Sequence, residues 1–236
     1  MELKGGQLAS DYKLEPVNDV PSPQAEPVEI CIPQHSRVAL GVKRVCDVIG
    51  SSLLLILVLP LFPVIALAIF LTSPGPLFFK PRIIGYKGRE FWAYKFRTMY
   101  PDAFERLLND PELLAQYKIK LKVVDDPRVT PLGRILRRTS LDELPQLINV
   151  WKGDMSLVGP RMLAKLELDK FGQLRDKILS MRPGMAGLWV ASGRQNVSFE
   201  RRKELELQYI DEWSLGLDAK CFIKTIGIAL RMTGAH

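Results

Sequence analysis

The sequence has little of the chemistry on which disulfide-rich or zinc-built domains depend. Its 236 residues include three cysteines and two histidines. Cys31, Cys46 and Cys221 are odd in number and widely spaced, while His35 and His236 do not complete a four-ligand pattern with them. This scarcity argues against a disulfide scaffold and against a Cys/His zinc site.

Acidic residues are scarce beyond the first part of the chain. The whole sequence has 33 Lys and Arg against 26 Asp and Glu, a net charge of +7. Residues 1–36 carry a net −4, so residues 37–236 carry +11. The apolar fraction of 47% excludes wholesale disorder. A strongly basic body favours an anionic partner, which leaves nucleic acid, anionic lipid and phosphorylated small molecules open.

Charge is absent altogether from residues 48–79, which centre on SSLLLILVLPLFPVIALAIF. A transmembrane helix needs about 20 apolar residues to cross about 30 Å of hydrocarbon. Pro60 and Pro63 divide the run into halves, Val48–Leu59 and Leu61–Thr72. Each half is about 18 Å long at 1.5 Å per residue, so neither half crosses a bilayer alone.

The flanks of this apolar run decide between three arrangements. Lys43 and Arg44 precede the run, and Lys80 and Arg82 follow it. Basic residues mark the cytoplasmic side of a membrane segment, and here they mark both ends. We therefore favour a re-entrant helix–break–helix over a kinked span. A helix buried in a soluble core is the third alternative, but it would need a larger core than this chain offers.

The remaining sequence predicts a mixed α/β fold that is mostly helical. LFFKPRIIG and REFWAYKF flank a Tyr86–Arg89 turn and predict a small β-hairpin. Residues 102–118 and 198–213 predict helices, the first broken near Pro111. Residues 217–232 are amphipathic, which suits either an interfacial helix or a helix packed on a soluble core.

Two adjacent carboxylates, Asp142 and Glu143, follow an arginine-rich segment in the string RILRRTSLDELPQ. Ser140 and Glu143 fit an S-x-x-E capping box, which alone would explain the acids. Alternatively, a carboxylate surrounded by cations stays ionised and acts as a nucleophile on phosphorus, while its neighbour holds Mg²⁺. Both interpretations remain open on the residues alone.

The second interpretation requires cations, because the charge of a diphosphate must be neutralised before an anion approaches it. Each arginine taken singly is more often a solvated surface charge, so the prediction rests on the cluster. The candidates are Lys95, Arg97, Arg128, Arg137 and Arg161.

Several motifs together carry a family resemblance. They are KRVCDVIG before the Pro-broken run, SPGPLFFK, YKFRTM, DDPRVTPLGRILRRTSLDELPQLINVWKGDMSLVGPR and RPGMAGLWVASGR. Over about residues 42–234 the chain resembles the bacterial monotopic phosphoglycosyl transferases, the bacterial sugar transferase family. The long TSLDELPQL to GPR string is the most specific of these motifs.

The resemblance implies transfer of a sugar-1-phosphate, here a hexose-1-phosphate, from a UDP-sugar to polyprenyl (undecaprenyl) phosphate, with release of UMP. It implies Mg²⁺ as cofactor and a phosphosugar-aspartyl intermediate, in exopolysaccharide, O-antigen or glycoconjugate synthesis. Asp142 would be the nucleophile and Glu143 the Mg²⁺ ligand. Lys95, Arg137 and Arg161 would contact phosphate, and Pro60 would break the membrane helix.

The implied organisation is that of a small stand-alone monotopic member. We expect a flexible acidic tail (1–36), a re-entrant membrane segment (37–79) and a catalytic domain with interfacial helices (80–236). The catalytic domain and both termini would lie on the cytoplasmic face of the bacterial inner membrane, in contact with its lipid. The sequence leaves the oligomeric state open, with a homo-oligomer as one option.

The chain departs from the family pattern at four positions. Leu59 stands where a Ser often precedes the breaking proline, so we expect Pro63 to share the break. Pro81, Ile83 and Met162 replace a Gln, an Arg and a Pro, and none of these changes touches the carboxylate pair. A catalytically idle membrane adaptor is the alternative function. A nucleic-acid partner is not expected, because no recognised motif accompanies the basic charge.

Overall fold

The structure, a computed structural model of the chain, describes residues 31–120, 123, 125–193 and 198–231. The predicted class is confirmed, because helices predominate and three two-stranded sheets lie among them. The helices are α1 (Arg37–Val58), α2 (Leu61–Thr72), α3 (Ala103–Asn109), α4 (Pro111–Lys120), α5 (Pro131–Thr139), α6 (Gln146–Lys152), α7 (Lys165–Asp169), α8 (Arg175–Ile178), α9 (Leu188–Ala191), α10 (Phe199–Asp211) and α11 (Leu215–Arg231). The strands are β1 (Phe78–Phe79), β2 (Arg82–Ile84), β3 (Glu90–Trp92), β4 (Lys95–Phe96), β5 (Ser156–Val158) and β6 (Gly184–Ala186), and short 3₁₀ turns occupy Tyr86–Gly88, Leu141–Glu143 and Gly172–Leu174.

The apolar run folds as a broken helix pair. Helix α1 ends at Val58, and α2 starts directly after Pro60, which has no N–H to continue the first helix. The two axes are bent by 59°, and no single helix among the described residues is long and apolar enough to cross a membrane. Pro63 lies in the first turn of α2, where proline is tolerated. Contrary to our expectation, it therefore does not contribute to the break.

The outer faces of α1 and α2 are apolar and exposed. Leu53, Ile56 and Leu57 of α1 and Val64 and Leu71 of α2 are each more than 60% exposed. A helix in a soluble core would bury such side chains, so the third arrangement of the apolar run is wrong.

The buried face of α1 is instead polar. Lys43 Nζ donates hydrogen bonds to Asp218 of α11, at 2.6 Å, and to the Val158 carbonyl of β5, at 2.8 Å. One turn later, the Asp47 carboxylate accepts hydrogen bonds from Ser156 Oγ and from the Leu157 N–H. Helix α1 is therefore attached to the rest of the protein through buried hydrogen bonds and one ion pair.

The predicted hairpin is confirmed. Strands β2 and β3 pair antiparallel around the Tyr86–Gly88 turn, with Ile83 opposite Phe91. The outer strands β1 and β4 extend this arrangement, with Phe79 opposite Lys95. The pairing fixes where Lys95 stands, because it follows directly from the register of the hairpin.

The parallel pair β5–β6 requires two glycines at its end. A Cβ on Gly184 would lie 2.0 Å from the Gly159 N atom, and a Cβ on Gly159 would lie 2.4 Å from the Arg182 carbonyl oxygen. Such contacts are shorter than any side chain allows, so only glycine lets the two chains approach. This approach positions Arg161, which pairs with Gly184 as an isolated bridge.

The main apolar core joins β5 and β6 to α10 and α11. Its members include Phe171, Leu168, Tyr209, Ile210 and Trp213. The break at Pro111 between α3 and α4 and the charged helix α10 are confirmed. Helix α11 packs on the core through Cys221, as one of the two alternatives for residues 217–232 predicts, while its Ile223 and Ile226 are exposed. Residue 232 lies outside the described residues.

The Lys43–Asp218 pair generates a stability prediction. Asp218→Ala leaves the Lys43 ammonium buried without its counter-ion, so we expect the free energy of unfolding to fall by about 3–5 kcal/mol. The measurement is denaturant unfolding in detergent, followed by far-UV circular dichroism. The control is Glu204→Ala, which removes an exposed pair with Arg201 and should cost less than about 1 kcal/mol. The double variant Lys43→Met/Asp218→Leu should recover most of the lost free energy of unfolding. Equally small losses in Asp218→Ala and Glu204→Ala would contradict the prediction.

Candidate active site

A tight turn between α5 and α6 presents the two adjacent carboxylates. Helix α5 ends at Thr139, and Ser140 takes a left-handed conformation (φ 57°, ψ 18°). The chain then forms the 3₁₀ turn Leu141–Glu143 before α6 begins at Gln146. This reversal buries Asp142, which is 8% exposed, and leaves Glu143 half-buried.

The capping-box interpretation is wrong. Ser140 ends α5, and its side chain makes no capping hydrogen bond to the turn that follows. The N-terminus of α5 is instead capped by Thr130, whose Oγ1 accepts a hydrogen bond from the Gly133 N–H at 2.9 Å. The Glu143 carboxylate contacts Lys95 of β4, with Nζ and Oε1 2.7 Å apart. The acids are thus placed by a contact between distant segments.

Burial sets the protonation of Asp142. It raises the pKa of this carboxyl to about 6, helped by the negative charge of Glu143 and opposed by Lys95 and Arg137. We expected a carboxylate surrounded by cations to stay ionised, and burial, not the cations, has the largest effect on its pKa. Asp142 is still about 90% ionised at pH 7 for a pKa near 6. The cations therefore limit the rise in the pKa of Asp142 that burial causes, so that the carboxylate stays charged at neutral pH.

Arg137 lies beside the carboxylates on α5. Its Nε donates a hydrogen bond to Thr98 Oγ1 at 2.9 Å. Burial lowers the pKa of the Arg137 guanidinium, while the charges of Asp142 and Asp126 raise it. Arg137 and Lys95 are the two cations whose charges act on Asp142.

Two other predicted cations are engaged with protein groups. Arg128 forms a buried, two-pronged ion pair with Asp126, at 2.6 and 2.8 Å. Arg97 donates to the Ser73 carbonyl at the end of α2. Neither arginine lines the cavity described below. We therefore assign both of them a structural role and not a contact with a ligand.

A cavity of about 650 Å³ brings the remaining site residues together. Its lining includes all five predicted site residues of the catalytic domain, Lys95, Arg137, Asp142, Glu143 and Arg161. Pro60 lies at the helix break and not in this lining. A volume in this range suits a ligand of substantial size.

Part of the cavity wall was not predicted from the sequence. Arg202 and Glu206 of α10 line it together with Trp189 of α9. The Arg161 guanidinium lies 4.7 Å from the centre of the Trp189 ring, and the Arg202 guanidinium lies 5.7 Å from it. Glu206 is 2% exposed and accepts a hydrogen bond from the Arg161 N–H at 2.9 Å.

One sequence signal could have identified Glu206. In α10 the buried residues are Leu205, Glu206, Tyr209 and Ile210, which recur at helical spacing. A carboxylate on the apolar stripe of a helix is seldom buried without a partner. Arg202 lies one turn earlier and carries no such signal, since charged residues surround it in the sequence.

The buried Glu206 carboxylate has a strongly altered acidity. Burial raises its pKa to about 7, and the Arg161 N–H together with the charges of Arg161 and Arg202 limits the rise. The group therefore titrates close to neutral pH.

The donor set fits a magnesium ion that is shared with a substrate. No group of three or more His, Cys, Asp and Glu side chains that could hold a metal occurs among the described residues. Mg²⁺ is commonly bound through one or two carboxylates together with water and substrate phosphates, so it does not need such a group. Glu143 lines the cavity with a side chain that is 32% exposed, as this mode requires.

Glu206 generates a prediction on pH and stability. Its folded-state pKa of about 7 lies above the usual 4.5, so the folded state binds more protons between these values. This term therefore lowers stability as pH rises from about 4.5 to 7, by about 3 kcal/mol, and is constant above. Glu206→Gln should remove this pH-dependent decrease. The measurement is the thermal unfolding midpoint at pH 5 and pH 8, with Glu204→Gln as control. The same change in midpoint between the two pH values in wild type and Glu206→Gln would contradict the prediction.

Comparison with known proteins identifies the family of this chain. A model of the family described as bacterial sugar transferase matches residues 38–232. The undecaprenyl-phosphate galactose phosphotransferase of Salmonella typhimurium is 39% identical over 198 residues, which is 82% of this chain and 41% of that protein. The exopolysaccharide production protein ExoY of Rhizobium meliloti is 38% identical over 198 residues, 82% of this chain and 88% of its own length.

A third relative extends the match. The UDP-glucose:undecaprenyl-phosphate glucose-1-phosphate transferase of Escherichia coli is 34% identical over 226 residues, 91% of this chain and 44% of that protein. The chain thus spans about two fifths of the length of the Salmonella and Escherichia relatives. Because the family model covers most of the sequence, the relationship is clear, and the chain belongs to the bacterial sugar transferase family.

Proposed function

We propose that this protein transfers a sugar-1-phosphate from a UDP-sugar to polyprenyl phosphate and releases UMP. The observation that carries the proposal is the buried Asp142 carboxylate, held ionised beside Lys95 and Arg137 in the wall of a basic cavity. The names of the Salmonella and Escherichia relatives support undecaprenyl phosphate as acceptor and a galactose or glucose phosphate as the transferred group. The Rhizobium relative supports a role in exopolysaccharide synthesis.

Asp142 performs the first chemical step in this proposal. One of its carboxylate oxygens forms a bond to the sugar-linked phosphorus while the bridging P–O bond breaks. The electron pair of that bond leaves with the nucleotide, which departs as UMP. Lys95 and Arg137 neutralise the phosphate oxygens that would otherwise repel the carboxylate.

Polyprenyl phosphate completes the reaction. A phosphate oxygen of the lipid attacks the phosphorus of the aspartyl intermediate, and the bond to Asp142 breaks. The carboxylate returns with its charge restored, so the two steps need no external base. Each step has a single anion approaching a phosphorus whose charge is neutralised by cations.

Glu143 would hold the Mg²⁺ of the reaction. When bound, the ion supplies charge neutralisation to the diphosphate oxygens. Lys95 holds the Glu143 side chain by the 2.7 Å contact, so the carboxylate is oriented before a ligand enters. The lysine also limits the negative charge that two adjacent acids would otherwise concentrate.

The broken helix pair would place this chemistry at the lipid headgroups. The exposed apolar faces of α1 and α2 require an apolar environment, and the 59° bend at Pro60 fits a re-entrant loop. Basic residues at both ends fit a loop that enters and leaves the bacterial inner membrane by its cytoplasmic face. The lipid phosphate and the soluble donor then meet without either leaving its own phase.

The decisive experiment measures UMP release by detergent-purified protein with Mg²⁺ and undecaprenyl phosphate. UDP-galactose, UDP-glucose and UDP-N-acetyl sugars are supplied in turn. We expect release with at least one donor, dependent on the lipid. Asp142→Asn should abolish it, because the amide is a poor nucleophile and the variant keeps the size of the side chain.

Two further variants and two possible outcomes complete this experiment. Glu143→Gln should weaken activation by Mg²⁺, seen as a titration shifted to higher concentration. Asp211→Asn is the matched control, since this exposed carboxylate pairs with Lys177 and does not line the cavity. Wild-type rates in Asp142→Asn would show that another group attacks. Silence of the folded wild type with every donor would favour the idle-adaptor alternative.

The membrane arrangement has its own test. Single cysteines replace Val38, in the first turn of α1, and Arg89, which follows α2 in the chain. Both positions are exposed, and the native cysteines are replaced. For a re-entrant loop we expect an impermeant maleimide to label both positions in inverted membrane vesicles and neither in spheroplasts. A cysteine at Leu57 is the control and should react only after detergent is added. Labelling of the two flanks from opposite sides would establish a kinked span instead.

A further inference from the structure

The active-site cavity contains a second group of charged side chains beside that of the catalytic turn, Leu141–Glu143. Arg161 and Arg202 converge there on the Trp189 ring. Burial lowers the pKa of the Arg202 guanidinium, as does the charge of Arg161, while the charges of Glu167 and Glu206 raise it. The charges that act on Asp142 are those of Glu143, Lys95 and Arg137. The cavity thus presents two separate groups of charge to a single ligand.

The part of the cavity around this second group has hydrogen-bond donors that the protein does not use. Within the described part of the chain, Arg161 Nε, Arg202 Nε and Trp189 Nε1 are buried and have no hydrogen-bond partner. Leaving a buried donor unsatisfied is costly, and more so when the group is charged. Three such donors from three segments therefore indicate a site shaped for an acceptor-rich ligand.

Arg202 is fixed in place before any ligand arrives. Its Nη2 donates to Glu167 Oε1 at 3.3 Å, and its guanidinium lies 5.0 Å from the centre of the Phe199 ring. Its side chain is 15% exposed. Glu206 holds the neighbouring Arg161 through its backbone N–H. A guanidinium held in this way loses little conformational freedom on binding and suits a phosphate.

The proposed reaction specifies which phosphate needs such a site. In the first step the phosphate of the leaving nucleotide changes from one negative charge to two, because it receives the electron pair of the broken bridging bond. Asp142 loses its own charge in the same step, so the total charge is constant. Negative charge therefore moves away from the catalytic turn and onto the leaving phosphate, where a cation stabilises it.

The second step places another phosphate at the same position. Phosphoryl transfer proceeds with the attacking and leaving oxygens roughly in line. The lipid phosphate must approach the phosphorus from the side opposite the Asp142 oxygen, which is the side that UMP has left. Both UMP and polyprenyl phosphate are phosphate monoesters, so one subsite serves both.

We propose, resting on the function proposed above, that Arg202 together with Arg161 forms a phosphate-monoester subsite that binds UMP in the first half-reaction and polyprenyl phosphate in the second. Arg202 is then a substrate-binding residue of the cavity. Glu206 is a positioning residue, since it acts on the ligand only through Arg161.

The test compares Arg202→Gln with Arg201→Gln, two identical charge changes on neighbouring residues of α10. Arg201 is exposed and pairs with Glu204, so it serves as the matched control. We expect Arg202→Gln to weaken UMP binding by about 10- to 100-fold, the range for loss of hydrogen bonds to a charged group. The measurement is titration calorimetry of UMP with the full chain in detergent, which does not depend on turnover.

Two further measurements separate the two phosphates. Exchange of labelled UMP into the UDP-sugar without lipid reports the first half-reaction, and the KM for undecaprenyl phosphate reports the second. Both should be impaired in Arg202→Gln and unchanged in Arg201→Gln. Arg202→Lys keeps the charge but loses the planar fork, so we expect an intermediate loss. This variant also provides a test if the glutamine variant fails to fold.

The outcomes distinguish this inference from the function on which it rests. Equal UMP affinity in the Arg201 and Arg202 variants, with normal exchange, would overturn the subsite while leaving the transferase intact. Impairment of only one of the two phosphates would overturn its shared use. Absence of turnover in wild type with every donor would overturn the transferase, whatever the affinity for UMP.

Discussion

The buried ion pair between Lys43 and Asp218 is the interaction on which the rest of the structure depends. It joins α1, whose outer face is apolar, to α11, whose inner face packs in the main core. Asp218 also accepts hydrogen bonds from Tyr209 and Trp213, so its charge is surrounded by donors. The Val158 carbonyl, which accepts a hydrogen bond from Lys43, comes directly before the Gly159–Arg161 loop. The attachment of the apolar helix pair and the position of a cavity arginine are therefore set by the same network.

The cavity shows how burial and charge are balanced at the proposed nucleophile, Asp142. If the cations alone acted, Asp142 would be a weak base with a low pKa. Burial and the neighbouring Glu143 oppose them and raise the pKa to about 6. A carboxylate that binds a proton more tightly also donates its electrons more readily to phosphorus. Because the pKa stays below 7, the same group remains ionised at neutral pH.

The local elements could be predicted from the sequence because their causes are local. Proline removes a hydrogen bond at a defined position, so the breaks at Pro60 and Pro111 were predicted. The capping-box prediction was wrong because the contact that places Glu143 is not local. Glu143 contacts Lys95, which is 48 residues away, and no local pattern encodes that contact. The motif resemblance found Arg161, but the Arg202 side of the cavity depends on how α10 packs against α9, which only the folded chain shows.

The attachment of α1 to the rest of the protein could not be predicted from its sequence pattern, because the polarity of the helix is inverted. Lys43, Asp47 and Ser51 recur every four residues and form one buried stripe, while the surrounding apolar side chains face outward. This is the reverse of a helix in a soluble protein, where the polar stripe faces water. A buried polar stripe is stable only if each group finds a partner, and here Asp218 and Ser156 provide them. An apolar outer face is stable only if its surroundings exclude water. Both requirements are met together when the helix lies between the catalytic domain and lipid, so the inverted polarity supports the membrane position proposed above.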